Sequence, residues 1–134
     1  MALDYGERRV GVAISDPLRV IAQPLVTLKA VPHKTLLRRL KFITEQYEVE
    51  LILIGNPLSH RGTATHMSDR IKDFAAELEH ATGITVQLWD ERFTSSYATK
   101  LMKEKGINKQ KEKLDQVVAC ILLDEFLKSG TCSA

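Results

Sequence analysis

Four acidic residues at three places in this sequence stand where chemistry could be done. Asp4 falls in the opening stretch LDYGERRVGVAISD, between an apolar start and a polar turn. Asp90 and Glu91 adjoin in LWDERFTS, at the end of an apolar run. Asp115 lies in KLDQVVACILLDEF, among apolar residues at helical spacing. Carboxylates crowded together repel and raise one another's pKa. A divalent cation relieves that repulsion, and oxygen donors without cysteine or paired histidine select a hard ion, Mg2+ or Mn2+. Such an ion keeps several waters and takes further ligands from a substrate phosphate.

Whether the acids meet depends on the elements that carry them. Met1 to Asp4 and Arg9 to Ser15 read as two short strands joined by a turn at Gly6, where a positive φ is expected. Val20 to Leu28 reads as a third strand, and Pro24 marks it as an edge strand or the site of a bulge. Tight connections make these three an antiparallel meander. From His33 to Tyr47 the apolar spacing predicts a helix. Val49 to Ile54 is a strand closed by Gly55-Asn56-Pro57, and a second helix then carries Met67, Ile71, Phe74, Ala75 and Leu78 to a stop at Gly83. Ile84 to Leu88 is a fifth strand. Thr94 or Ser95 caps a further helix through Met102, the lysine-rich run from Lys103 to Lys113 reads as a loop, and a last helix spans Leu114 to Lys128.

Strands separated by a helix pair in parallel through right-handed crossovers, so the chain predicts a five-stranded mixed α/β sheet, three antiparallel strands followed by two parallel ones. Ligands bind beyond the carboxyl ends of parallel strands, which puts Asp4 and the Asp90/Glu91 pair on one rim. In the last helix the expected buried stripe is Leu114, Val117, Val118, Ile121, Leu122 and Phe126. Asp115 shares its angle with Val118, Ala119 and Leu122, so it faces the sheet, and a first-turn position would give it support from the helix dipole. Gly11 leaves room in the second strand for substrate or for a packed helix.

Composition bounds the partners. The chain of 134 residues is read as one domain, 1–134, and its formal charge of +2 puts any nucleic-acid footprint on local patches. No apolar run reaches a membrane span and no leader is visible, and Cys120 and Cys132 show no metal spacing; a cytoplasmic protein is expected. His33, His60, His66 and His80 also lack ligand spacing, and Trp89 and Tyr97 are read as packing residues before base-stacking ones.

Four motifs in order, DYGERRVGVAISDP, IGNPL, DERFTS and KLDQVVACILL, resemble the YqgF/RuvX family over nearly the whole chain. The resemblance implies a ribonuclease H-like fold and a nuclease that either matures the 5′ end of pre-16S rRNA or resolves Holliday junctions. It implies Asp4, Glu91 and Asp115 as catalytic metal ligands, with Asp90 the weaker choice beside Glu91. Asn56 departs from the family's more frequent G-L-P, and the run before Asp4 is shorter than usual. Phosphate contacts are expected from Arg8 and Arg92, from Thr94, and from Lys109 and Lys111 in the basic run. Structured RNA or branched DNA is the expected partner, and action on a symmetric junction would call for a homodimer. Two rivals stand beside this reading. An actin/hexokinase-type ATPase shares the D-x-G hairpin but needs a second related domain, and a nucleic-acid-binding module could keep the fold without turnover.

Overall fold

Residues 1–57, 65–90 and 111–129 are described in the computed structural model. Three strands open the chain: β1 (Ala2–Tyr5), β2 (Arg9–Ser15) and β3 (Ala22–Lys29). Helix α1 (His33–Gln46), strand β4 (Leu51–Asn56), helix α2 (His66–Thr82) and strand β5 (Thr85–Asp90) follow, and α3 (Lys111–Lys128) comes last. The sheet order is β3-β2-β1-β4-β5, with β1–β2 and β2–β3 antiparallel and β1–β4 and β4–β5 parallel, and these directions are the ones the connections predict.

Alternation along the strands divides the core in two. Leu3, Tyr5, Val10, Val12, Ile52 and Ile54 point to the face covered by α1 and α2, where Leu36, Leu40, Ile71, Phe74 and Leu78 meet them. Ala2, Ala13 and Leu53 point the other way and are covered by Val118, Ala119, Leu122, Leu123 and Phe126 of α3. Small residues on that second face of β1 and β2 let α3 lie close to the sheet.

Local chemistry explains where the elements depart from expectation. β1 runs on to Tyr5, so Asp4 is inside the strand instead of ending it. β3 begins at Ala22 because the backbone N–H groups of Val20 and Ile21 donate to Asp16 Oδ1 at 2.7 and 2.9 Å, holding both residues in the hairpin turn. Pro24 does sit on an edge strand, and the β2–β3 register shifts beside it. Val49 belongs to the turn after α1, its N–H bonded to Thr44 O at 2.9 Å, so β4 starts only at Leu51. Gly83 takes the left-handed conformation, φ 72°, that closes α2. Gly6 has no positive φ; a Cβ there would stand 2.9 Å from the Arg9 carbonyl, so close approach is what favours glycine at the turn. Lys111, Glu112 and Lys113 are helical and not part of a loop, and the buried stripe of α3 turns away from Val117, which is 41% exposed, towards Ala119 and Leu123. The predicted helix from Thr94 or Ser95 lies outside the described residues.

Candidate active site

A row of three residues crosses the sheet beneath the first turns of α3. Asp4 pairs with Gly11, and Gly11 pairs with Thr27, so all three look to the α3 face. Each meets the helix differently. The Thr27 hydroxyl donates to Glu112 O at 2.6 Å and accepts from Gln116 Nε2 at 3.1 Å, fixing the helix laterally. Gly11 lets it descend, since a Cβ at that position would lie 2.1 Å from the Asp115 carbonyl oxygen and 2.9 Å from the Asp115 Cβ. Directly opposed strand residues have Cβ atoms about 5 Å apart, which places the Asp4 and Asp115 Cβ atoms within about 8 Å of each other. Both carboxylates are 2% exposed. Sequence positions 4 and 115 thus come together under one helix.

Asp115 is held by the first residue of β2. Arg9 Nε donates to Asp115 Oδ2 at 2.6 Å, and Arg9 is 28% exposed where the carboxylate is nearly sealed. Arg9 has the parity of Gly11 and Ala13 on β2, and that alternation is the signal that could have placed it. The helix dipole does not give Asp115 the support expected of a first-turn position. Four helical residues precede Asp115 in α3, so it lies beyond the first turn, where the favourable dipole field has decayed. The guanidinium supplies the local positive charge.

The other expected residues distribute as follows. Asp90 is exposed on β5 and pairs with Asn56. Trp89 packs against α3 and Leu88 against the α1/α2 core, so the pleat turns Asp90 to the face opposite Asp4. Arg8 is exposed in the turn after β1, its carbonyl accepting Ala30 N–H at 2.9 Å. Glu91, Arg92, Thr94 and Lys109 lie outside the described residues, as does the side chain of Lys111 at the head of α3. Among the described residues no three acidic, histidine or cysteine groups gather for a metal ion. Two buried carboxylates converge, however, one of them bonded to the Arg9 guanidinium, a donor set of oxygens alone. That set fits a hard divalent cation completed by a further acid and by substrate oxygens.

Asn56 is buried at the end of β4, and its Oδ1 has no hydrogen-bond partner among the described residues. Trp89 Nε1 is likewise unpartnered while its ring meets Phe126 edge-on, 5.5 Å between centroids, so packing is the role it fills. His33 reaches Glu77 at 2.7 Å, and His66 and His80 are exposed. Among the described residues no helix is long and apolar enough to cross a membrane.

Comparison with known proteins agrees with this architecture. The family model described as "RuvX: Holliday junction resolvase" matches residues 1–129. A protein of Roseiflexus sp. named "Putative pre-16S rRNA nuclease" is 38% identical over 131 residues, covering 96% of this chain and 93% of the relative. One of Dictyoglomus thermophilum with the same name is 38% identical over 133 residues, covering 98% and 96%. Among solved structures, T. thermophilus RuvC in complex with Holliday junction substrate aligns with a TM-score of 0.58 at 15% identity, over 96% of this chain and 94% of that one. Fowlpox virus resolvase with substrate Holliday junction DNA aligns with a TM-score of 0.51 at 12% identity, over 95% of each chain. At such identities the likeness concerns the fold, and it bears out the ribonuclease H-like sheet.

Proposed function

The chain belongs to the RuvX family, and from that premise we propose that it is a nuclease hydrolysing phosphodiester bonds in pre-16S rRNA, at the 5′ end of the precursor, in the cytoplasm. The observation that carries the reading is the convergence of Asp4 and Asp115 through the close contact at Gly11. Asp4, Asp115 and Glu91 hold Mg2+ or Mn2+, and Glu91 is preferred to Asp90 because the pleat turns Asp90 away from the two buried acids. When bound, the ion supplies Lewis acidity towards a phosphate oxygen and lowers the pKa of an attacking water. Asp4 contributes from a rigid strand interior. Asp115 contributes from a helix held at Thr27 and Gly11, with Arg9 bonded to its Oδ2. Arg8, on the turn beyond Asp4, stands where it can meet the substrate backbone, and Arg92, Thr94, Lys109 and Lys111 are further phosphate contacts.

Incubation of the purified protein with Mg2+ or Mn2+ and a precursor rRNA fragment should give cleavage at the 5′ side. Asp4→Asn and Asp115→Asn should lose about a thousandfold in rate, the loss of several kcal/mol of metal-borne stabilisation, while remaining folded by circular dichroism. Cleavage unchanged in both variants would sink the assignment. The likeness to resolvases solved with junctions favours a second reading, resolution of a four-way DNA junction by a homodimer. The same assay on a junction, with the oligomeric state measured by sedimentation, separates the two.

A further inference from the structure

A groove of about 520 Å³ runs between β3 and α1, on the sheet face opposite α3. Leu28 and Ile43 are buried at its floor, whereas Phe42 and Tyr47 stand at its margin, 66% and 44% exposed. Arg38 and Arg39 line it beside the apolar Leu25 and Val26, and no acid lines it among the described residues. The exposed side of α1 extends this charge. Lys34, Arg38, Arg39 and Lys41 face solvent against the single acid Glu45, and none of the four forms an ion pair with a described residue.

We propose that this groove docks a single-stranded segment of the nucleic-acid substrate, its bases against Phe42 and Tyr47 and its phosphates on Arg38 and Arg39. The inference rests on the nuclease reading above and adds to it a second contact surface away from the acids. Apolar walls with aromatic faces and a cationic margin are what sequence-tolerant single-strand binding requires, because every base has a face to stack and every linkage a charge. A second copy of the chain fits less well. A self-complementary contact here would bring the four cations of α1 towards their own copies, with only Glu45 on the helix to offset them.

The groove also leads to the catalytic rim. α1 is 14 residues long, about 21 Å, and its first turn lies beside the turn that follows β1. Ala30 N–H donates to Arg8 O, and the His33 ring meets Phe74, which stacks on Tyr5 with centroids 4.4 Å apart. Tyr5 directly follows Asp4. A strand passing from Tyr47 towards His33 therefore arrives at the turn that carries Arg8.

Fluorescence anisotropy with a labelled oligouridylate of about 12 nucleotides, in EDTA to prevent cleavage, tests the surface directly. Phe42→Ala should weaken binding about tenfold, the loss of one stacked base. Arg38→Ala combined with Arg39→Ala should weaken it at least as much, and should flatten the log-affinity against log-salt slope by about 1.4, two single-strand phosphate contacts. These side chains are exposed, so folding is retained, and circular dichroism verifies it. Equal binding by all variants, or no binding by the wild type, overturns the proposal. So does a wild-type dimer that Phe42→Ala dissociates, since a second copy would then own the groove. Failure of the catalytic reading is read separately: a wild type that binds the oligonucleotide but never cleaves leaves the groove standing while removing the nuclease.

Discussion

Arg9 and Asp115 are joined by a 2.6 Å hydrogen bond between residues 106 positions apart. The carboxylate is 2% exposed and sits past the first turn of α3, so the guanidinium is a charge-assisted partner that offsets part of the cost of its burial. Removing one partner of a buried ion pair leaves the other charge poorly compensated. Arg9→Gln should therefore lose about 2 kcal/mol of unfolding free energy, below the full cost of a sealed pair because Arg9 is partly solvated. Mg2+ should raise the melting temperature of Arg9→Gln more than that of the wild type, since the ion then supplies the missing charge. Arg9→Lys should fall between them. An unchanged denaturation midpoint in Arg9→Gln would show that the contact is not populated in solution.

Gly11 sets the depth at which α3 lies on the sheet. A methyl group there meets backbone, the Asp115 carbonyl at 2.1 Å, and no flexible side-chain end can yield. Gly11→Ala should cost about 3 kcal/mol, the upper part of the range for overpacking a closed interface. Urea denaturation would show it as a lower midpoint at unchanged slope. Nuclease activity should fall further than the folded fraction does, because the displaced helix carries Asp115 away from Asp4. A variant of ordinary stability and activity would mean that α3 does not rest on β2 at this point.

Of these two contacts, the close approach at Gly11 was foreshadowed by the room it leaves for a packed helix, and the Arg9 partner of Asp115 was not. The sheet was legible because Val10, Val12 and Ile14 alternate, and because Gly55-Asn56-Pro57 and Gly83 punctuate the chain at element ends. The burial of Asp115 was legible too, from its angle relative to Val118, Ala119 and Leu122. Its counter-ion was not. Arg9 and Arg8 are adjacent and chemically alike, and choosing between them required reading Arg9 with Gly11 and Ala13 on the small-residue face of β2. Gly6 misled for a related reason: glycine is spared a Cβ clash with Arg9 O as readily as it is spared a φ restriction, and composition cannot separate the two. The first turn of α3 was assigned to a loop because Lys111, Glu112 and Lys113 carry no apolar periodicity, although Thr27 holds the Glu112 carbonyl from the sheet.

Cys120 offers a pH-dependent probe of the same helix. Burial, and then the nearby Asp124 carboxylate, raise its thiol above the ordinary range. The folded state thus holds this proton more tightly than the unfolded chain. Its contribution to stability is fully present below the ordinary thiol pKa and is lost as pH climbs through the raised value. In a Cys132→Ser background, alkylation of Cys120 by iodoacetamide should be slower near pH 8 than that of the urea-unfolded protein, and should accelerate at a higher pH. The melting temperature should also decline less at alkaline pH in Cys120→Ser than in the wild type. Equal alkylation rates folded and unfolded would place the thiol in open water.

Trp89 is the sole tryptophan, one residue before Asp90, and its ring packs edge-on against Phe126 of α3. Its strand partner is Gly55, and β4 in turn pairs with β1, which carries Asp4. The indole is therefore an internal reporter on the face where the acids meet. Paramagnetic Mn2+ should quench its fluorescence in a saturable manner, and Asp4→Asn or Asp115→Asn should abolish the saturable part while leaving collisional quenching. Phe126→Ala should cost about 3 kcal/mol of stability through the cavity left in the α3 interface, yet keep the Mn2+ response, since Phe126 offers no ligand. Saturable quenching that survives both acid substitutions would locate the bound ion elsewhere on the protein and remove Asp4 and Asp115 as its ligands.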